Sequence, residues 1–247
     1  MRYNITKLVK RPLKYFHIFT KGYENVFLVS YIRPMKFIQY KLMKYKLIGF
    51  VMTGFVLFAC EKEDDKNIMV DIDGNKYKTI QIGTQIWMAE NLRVTRDRSG
   101  RDLTSYCYLD RDDFCREYAR LYTWDVALRA APEGWHIPSD EEWRQMEVEL
   151  GLSSEEEYLL GWRGTDHGLK LAEGGSSGFE ALFAGYKDGT VFWTGRYFDL
   201  GYFAAFWTKS QVDSLRAIAY FIYNGEGSVI RDDYDKTAAF SIRCLKD

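Results

Sequence analysis

One stretch, from Arg120 to Met146, sets the strongest limits on how this chain folds. It reads RLYTWDVALRAAPEGWHIPSDEEWRQM and holds three of the seven tryptophans and two of the four prolines. Near its centre, Pro132 and Gly134 end one helical segment, and Ser139 begins another. Ser139 and Glu142 have the capping-box spacing, in which each side chain binds the other residue's backbone N–H. The stretch therefore predicts a helix, a break and a second helix.

Two short helices follow from the apolar pattern on either side of this break. The first is predicted from about Arg120 to Ala130. Its buried face is expected to contain Leu121, Trp124, Ala127 and Leu128. The second is predicted from about Asp140 to Leu150, because apolar residues recur there at steps of three and four. Two such helices cannot bury a core alone, so they need a sheet to pack on.

Strand signals lie on both sides of the helical stretch. Residues 77–82 and 85–88 alternate as strands do, and Gly83-Thr84 between them is a two-residue hairpin turn. Further strands are predicted at residues 190–193, 204–208, 217–223 and 239–245, with turns at 187–189, 224–225 and 232–233. The polar segments 95–118 and 153–178 are predicted to be mostly loop. Strands that follow helices, without βαβ alternation, indicate an α+β fold.

The charge of the chain is divided unevenly. Residues 1–60 contain 11 Lys and Arg and one acidic residue, so residues 61–247 contain 23 basic and 34 acidic residues, a net charge of −11. Binding to nucleic acid needs a positive field around the phosphates. The composition therefore argues against nucleic acid as a partner of the folded part.

Residues 43–59 have the features of a bacterial lipoprotein signal peptide. Two lysines precede an uncharged apolar run of 13 residues, 47–59. A membrane-spanning helix needs about 20 residues, whereas the apolar part of a secretory signal is shorter. The run ends in Leu57-Phe58-Ala59-Cys60, which resembles a lipobox, where the signal is removed before the Cys and that Cys is lipidated. A plain transmembrane anchor is the alternative.

These features divide the chain into four parts. Residues 1–42 either precede a true start at Met43 or Met35, or form a long extension. Residues 43–59 are the signal peptide, residues 60–67 an acidic tether, and residues 68–247 the folded domain. The tether resembles the export signal that sends lipoproteins of Bacteroidetes-type bacteria to the cell surface. We therefore expect a lipid-anchored protein of the outer membrane, exposed at the cell surface.

Several blocks of the folded domain together resemble one known family. They are Asp73-Gly74-Asn75-x-Tyr77, Ile82-Gly83-x-Gln85-x-Trp87-Met88-Ala89-Glu90-Asn91-Leu92, Leu121-Tyr122-Thr123-Trp124, Pro132-x-Gly134-Trp135-His136-Ile137-Pro138-Ser139-Asp140-x-Glu142-Trp143, Gly178-Phe179, Ala184-Gly185-Tyr186, Phe206-Trp207-Thr208 and Ile242-Arg243-Cys244. Their order and spacing resemble the Fibrobacter succinogenes major paralogous domain, which occurs in surface and secreted proteins. The resemblance covers about residues 68–247.

The resemblance carries structural expectations. It implies a fold similar to C-type-lectin-like domains and related to formylglycine-generating enzymes, with two short helices packed on short antiparallel strands and long loops. The family often has a Cys where this chain has Ala131, and that Cys would be the natural partner of Cys244. Since an exported chain meets an oxidising compartment, Cys107 and Cys115, which enclose a short loop, are predicted to form a disulfide and leave Cys244 free.

The remaining candidate residues are aromatic. The motif tryptophans are predicted to be core residues: Trp87, Trp124, Trp135 and Trp143. The segment 185–202 combines four glycines with several rings, so Trp193, Tyr197 and Tyr202 are candidates for stacking on a ligand. The alternative is that these rings, like Trp162, are buried. His136 and His167 are interpreted as packed or loop residues, and the domain has too few histidines for a multi-histidine zinc site. No catalytic residues, metal or cofactor are predicted.

Three functions are compatible with these observations. The first is a non-enzymatic surface module for binding or adhesion, with an extracellular glycan or protein as ligand. The second is a structural component of an envelope or surface assembly. The third is an enzyme of carbohydrate or sulfatase-maturation chemistry, which lacks a recognisable motif in this sequence. The first is favoured, since loops on a rigid scaffold commonly carry binding sites.

The signal peptide predicts that the mature chain begins at Cys60 and carries lipid on that residue. Metabolic labelling with a fatty-acid analogue should label the wild-type protein but not Cys60→Ala. Equal labelling of the two proteins would contradict the lipoprotein assignment.

Overall fold

The computed structural model of the protein describes residues 67–189 and 195–247. There the fold is α+β, as predicted. The helices are α1 (Asp112–Tyr118), α2 (Trp124–Ala130), α3 (Asp140–Glu149) and α4 (His167–Leu171), with a 3-10 turn at Tyr108–Asp110. The strands are β1 (Ile68–Val70), β2 (Lys76–Ile82), β3 (Gln85–Met88), β4 (Tyr122–Thr123), β5 (Trp135–His136), β6 (Gly161–Arg163), β7 (Tyr186–Lys187), β8 (Tyr197–Phe198), β9 (Phe203–Gln211), β10 (Arg216–Tyr223), β11 (Val229–Asp235), β12 (Ala239–Phe240) and β13 (Leu245–Lys246).

Some sequence predictions fall on residues outside the described ranges. These are the signal peptide, the lipidated Cys60, most of the tether, the strand at 190–193 and the candidate ring of Trp193. Within the described ranges, none of the helices has the length and apolar character needed to cross a bilayer.

The strands form three sheets whose strand pairs are antiparallel. Their orders are β1-β2-β3-β13-β5, β6-β11-β10-β9 and β4-β12-β7-β8. The predicted hairpin is confirmed, with Ile82 opposite Gln85 across the turn. Gly83 in this turn has a φ of +59°, a left-handed conformation that glycine adopts without steric cost. The C-terminal strand β13 lies between β3 and β5, so the two ends of the domain share one sheet.

The sheet β6-β11-β10-β9 has an apolar core against each of its faces. Side chains alternate along β9, so Phe203 and Trp207 join the core that includes α2. Phe206 joins the opposite core, together with Trp143 of α3 and Leu171 of α4. Because successive side chains of a strand point to opposite faces, one long apolar strand supplies both cores. We call these the α2 core and the α3 core.

Helix α3 begins with the predicted capping box. The N–H of Glu142 donates to Ser139 Oγ at 3.1 Å, and the N–H of Ser139 donates to Glu142 Oε2 at 2.6 Å. Trp143 in the first turn is fully buried and stacks on Tyr220 of β10, with ring centroids 4.6 Å apart. The helix ends one residue earlier than predicted, within the usual uncertainty of helix boundaries.

The other motif tryptophans are also buried. Trp87, Trp124 and Trp135 expose 7% of their surface or less. The predicted disulfide between Cys107 and Cys115 is formed, and Cys244 is a free, buried cysteine. Burial raises the pKa of the Cys244 thiol, so that thiol stays protonated.

The first helix was predicted to begin at about Arg120, which is too early. Residues 122–123 form strand β4, which pairs with β12, and α2 begins only at Trp124. The prediction that Leu128 is buried is wrong, since this side chain is 41% exposed and Val126 is buried in its place. Pairing with a distant strand overrides helical periodicity at the first turn.

The predicted loops contain short elements. Helix α1 and the 3-10 turn lie within residues 95–118, and β6 and α4 lie within residues 153–178.

The turn predicted at 232–233 is wrong because these residues belong to β11, which pairs along its length with β10. The strand predicted at 239–245 is divided into β12 and β13. For β6, β12 and β13 the hydrogen-bonding partner is remote in sequence.

Trp143→Ala should lower the free energy of unfolding by about 3–5 kcal/mol, because it opens a cavity in the α3 core. Trp143→Phe should cost less, since Trp143 Nε1 is buried without a hydrogen-bond partner in the described part of the chain. Urea unfolding followed by circular dichroism measures both. Leu169→Ala is the control, since Leu169 is 49% exposed on α4. If Trp143→Ala unfolds at the same urea concentration as the control, the packing scheme is wrong.

Candidate functional site

A run of large apolar side chains faces solvent just before strand β6. Tyr158 is 69% exposed, Leu159 51%, Leu160 56% and Trp162 55%. Scattered apolar residues are normal on protein surfaces, but contiguous exposed apolar patches commonly mark interaction sites. Trp162 was predicted to be buried, and this prediction is wrong.

Two tyrosines lie at the same end of the sheet as Trp162. The indole of Trp162 contacts the ring of Tyr223 at a centroid distance of 5.3 Å. Asn224, the next residue, donates its N–H to the carbonyl of Tyr202 at 2.9 Å and its Nδ2 to the carbonyl of Gly201 at 3.1 Å. Tyr202 is 71% exposed. We call Trp162, Tyr202 and Tyr223 the aromatic edge.

Strand β6 is held beneath this surface by a buried arginine. Arg163 is on the opposite face of the strand from Trp162 and is fully buried. Its guanidinium donates to the carboxylate of Glu147 on α3 and, at 3.1 Å, to the hydroxyl of Tyr220. His167 Nε2 lies 3.1 Å from the other oxygen of Glu147. The Glu147 carboxylate therefore joins α3, β6 and α4.

Two further arginines hold the loop that precedes β6. Arg231 of β11 makes a two-point contact with the carboxylate of Asp140, with both distances 2.6 Å, and its Nη1 lies 3.4 Å from the carbonyls of Tyr158 and Leu159. Arg144 of α3 lies over the ring of Tyr158 at 4.4 Å. Such two-point contacts fix geometry as well as charge. The exposed apolar run is thus supported at several points from inside the domain.

Burial and neighbouring charges shift the pKa values of Asp140 and Tyr220. Burial would raise the pKa of Asp140, but the hydrogen bond and charge of Arg231 outweigh it and lower the pKa below its ordinary value of 3.8. Burial and the charge of Glu147 raise the pKa of Tyr220 well above its ordinary value. Tyr220 therefore stays protonated and donates its hydroxyl to Asp140 at 3.0 Å.

Of the predicted stacking residues, the structure describes Tyr197 and Tyr202, and their contacts differ. Tyr202 belongs to the aromatic edge, whereas Tyr197 on β8 contacts Tyr108 at 5.2 Å and donates its hydroxyl to Asp110. Tyr186, from the same glycine-rich segment, packs on the rings of Phe203 and other core residues. Stacking of Tyr197 and Tyr202 on a ligand stays a prediction, and Trp193 lies outside the described residues.

The two histidines of the domain are both paired with carboxylates. His136 Nε2 lies 2.8 Å from Glu142, and its Nδ1 lies 2.6 Å from Asp247. His167 is buried in the network described above. In the described ranges, no group of three or more His, Cys, Asp and Glu side chains could hold a metal ion.

A cleft of about 870 Å³ lies beside the disulfide, away from the aromatic edge. Its lining includes charged side chains of both signs: Lys76, Lys78, Arg93, Arg116, Glu90, Glu117, Glu173 and Glu180. No histidine lines it, and Cys115 at its wall is in the disulfide. The lining of this cleft therefore contains no cysteine–histidine or serine–histidine pair of the kind that many covalent catalysts use.

A family model for the Fibrobacter succinogenes major domain matches residues 80–246, more than half of the chain. The chain belongs to this family. No curated protein and no solved structure matches it. The Fibrobacter succinogenes major domain begins inside β2 and includes the aromatic edge, the three arginines that support it and the disulfide. The site therefore lies within the family domain and not in an appended segment.

The lowered pKa of Asp140 predicts an acid-sensitive contribution to stability. A carboxyl group whose pKa is lower in the folded state stabilises the fold above its unfolded pKa, and this contribution is lost as pH falls through the folded pKa. Wild-type stability should therefore decline as pH falls below about 4, and Asp140→Asn should be less stable at pH 7 with a smaller decline.

Urea unfolding at a series of pH values measures this difference. Glu141→Gln, which changes the neighbouring exposed carboxylate, is the matched control and should keep the wild-type slope. Parallel curves for wild type and Asp140→Asn would contradict the assigned role of the Asp140–Arg231 pair.

Proposed function

We propose that this protein is a cell-surface lipoprotein whose family domain binds an extracellular glycan without turning it over. The observation that carries the proposal is the aromatic edge, in which Trp162, whose ring contacts that of Tyr223, and Tyr202 at the same end of the sheet are both more than half exposed. Aromatic rings combine a large apolar face with polar tips, which suits them to sugars that present both apolar and hydroxyl-bearing surfaces. In the part of the chain that the structure describes, no acid–base or nucleophilic set has been identified next to these rings, and we therefore propose binding without chemistry.

The support beneath the rings favours a binding role. A flexible aromatic loop would lose conformational entropy on binding a ligand, and this loss would weaken affinity. Here Arg163 and Arg231 fix β6 and its preceding loop to α3 before any ligand arrives. Sites held by a second layer of hydrogen bonds keep their geometry better than unsupported loops.

Polar groups next to the rings can orient a ligand. The side chain of Asn224 donates to the carbonyl of Gly201, and its amide oxygen remains available as an acceptor for a hydroxyl group. Binding sites for small molecules typically combine apolar walls with a few fixed polar groups of this kind.

The membrane anchor and the finer fold assignment are parts of the same proposal. The lipobox-like segment ending at Cys60 and the acidic tether support anchoring at the outer surface of the cell. Short helices packed on antiparallel strands, with loops between them, support a C-type-lectin-like arrangement. An experimental structure whose strand order cannot be superposed on that of C-type-lectin-like domains would reject this part.

Glycan binding should depend on Trp162. A glycan-array screen of purified residues 61–247 should identify a bound glycan, and Trp162→Ala should weaken its binding about tenfold or more, equivalent to about 1.4 kcal/mol. Leu215→Ala is the matched control, because Leu215 is 69% exposed at the other end of β10. An array without bound glycans, or equal affinity for wild type and Trp162→Ala, would contradict the proposal.

A further inference from the structure

A second cleft of about 360 Å³ has a different character from the aromatic edge. It lies between residues 97–101, the C-terminal end of α2 and strand β9. Four of its lining side chains are cationic: Arg98, Arg101, Arg129 and Lys209. Asp97 is the one carboxylate in the lining. Because residues 61–247 as a whole carry a net charge of −11, this concentration of positive charge differs from the rest of the domain.

The Arg98 guanidinium is fixed without being neutralised. Its Nε donates to the carbonyl of Ala131 and its Nη2 to that of Pro132, both at 2.8 Å, and Nη2 also donates to the carbonyl of Trp135. The carboxylate of Glu133 is 3.9 Å away and its side chain is 92% exposed, so this ion pair is largely screened by solvent. Since the carbonyls are uncharged, the guanidinium is held in a defined orientation and keeps its positive charge, while its Nε and Nη2 are occupied by these bonds.

The other three cations differ in how they are paired. Arg101 contacts Asp97 at 2.9 Å, and the hydroxyl of Ser99 lowers the pKa of Asp97 to about 2, so that this carboxylate stays charged. Lys209 is 3.7 Å from Glu142, which also binds the N–H of Ser139. Arg129 makes no ion pair or hydrogen bond through its side chain within the described ranges.

We propose that this basic cleft binds an oxyanion, the carboxylate group of an acidic sugar. Arg129, whose side chain has no partner in the described ranges, can present parallel N–H donors to the two oxygens of such a group. Leu128, which is 41% exposed, gives the cleft an apolar wall on which a sugar ring can lie. The inference goes beyond glycan binding at the aromatic edge, since the two sites lie near opposite ends of β9, roughly 20 Å apart along the strand.

The test uses isothermal titration calorimetry on the purified full-length protein with three probes. These are trigalacturonic acid, its methyl ester and sodium sulfate. Wild type should bind trigalacturonic acid and not the ester, which has the same sugar rings without the charge. The variant Arg129→Gln with Lys209→Gln should bind trigalacturonic acid about tenfold more weakly or worse. Added sodium chloride should weaken wild-type binding, because salt screens exposed charges.

Arg116→Gln is the matched control, because Arg116 is an exposed arginine in the other cleft. It should bind trigalacturonic acid as wild type does, and thermal melting should show all variants folded, since the changed side chains are exposed. Equal affinity for acid and ester, or equal loss in Arg116→Gln, would overturn the proposal. Binding of sulfate without any binding of trigalacturonic acid would overturn the assignment to an acidic sugar. None of these outcomes depends on Trp162, so failure here is distinguishable from failure of glycan binding at the aromatic edge.

Discussion

The buried guanidinium of Arg243 is the interaction on which much of the remaining structure depends. It is fully buried, and its N–H groups donate to Asn91 Oδ1 and to the carbonyls of Met88, Phe179 and Glu180 at 2.5–3.2 Å. Burial lowers the pKa of Arg243 to about 9. A buried charge costs several kcal/mol unless hydrogen bonds satisfy it, so these four oxygens must stay in place. One side chain thereby joins the exit of the N-terminal hairpin, the segment before β7 and the C-terminal segment.

Arg163 imposes a comparable constraint beneath the aromatic edge. Since neighbouring residues of a strand point to opposite faces, keeping Arg163 paired with Glu147 inside the domain leaves Trp162 on the opposite, half-exposed side. Replacing a buried ion pair by apolar residues is often neutral or stabilising. The pair is therefore better explained by the geometry that it imposes on β6 than by stability. Removal of the Arg163–Glu147 pair should disturb the binding surface as well as the core.

Local signals predicted the parts of the fold whose information lies within a few residues. The capping box at Ser139, the hairpin turn at Gly83 and the apolar repeat around Trp143 all belong to this class. Strand β11 was missed because most of its residues are only half-buried, so Asp232 and Asp233 carry a turn-like composition with no apolar alternation. Its strand character comes from pairing with β10 and β6, and local propensity contains no information on such partners.

The lack of local information on pairing partners also explains why the sequence predicted one ring of the aromatic edge and missed the others. Tyr202 stands in a glycine-rich segment, whereas the exposure of Trp162 follows from the three-residue pairing of β6 with β11.

The basic cleft was not predicted from the sequence, for a different reason. A net charge of −11 describes the whole domain, but a bound group experiences mainly the charges within a Debye length, about 8–10 Å. The acidic composition therefore argues against an extended polyanion such as nucleic acid, and it remains compatible with a single oxyanion held by Arg98 and its neighbours.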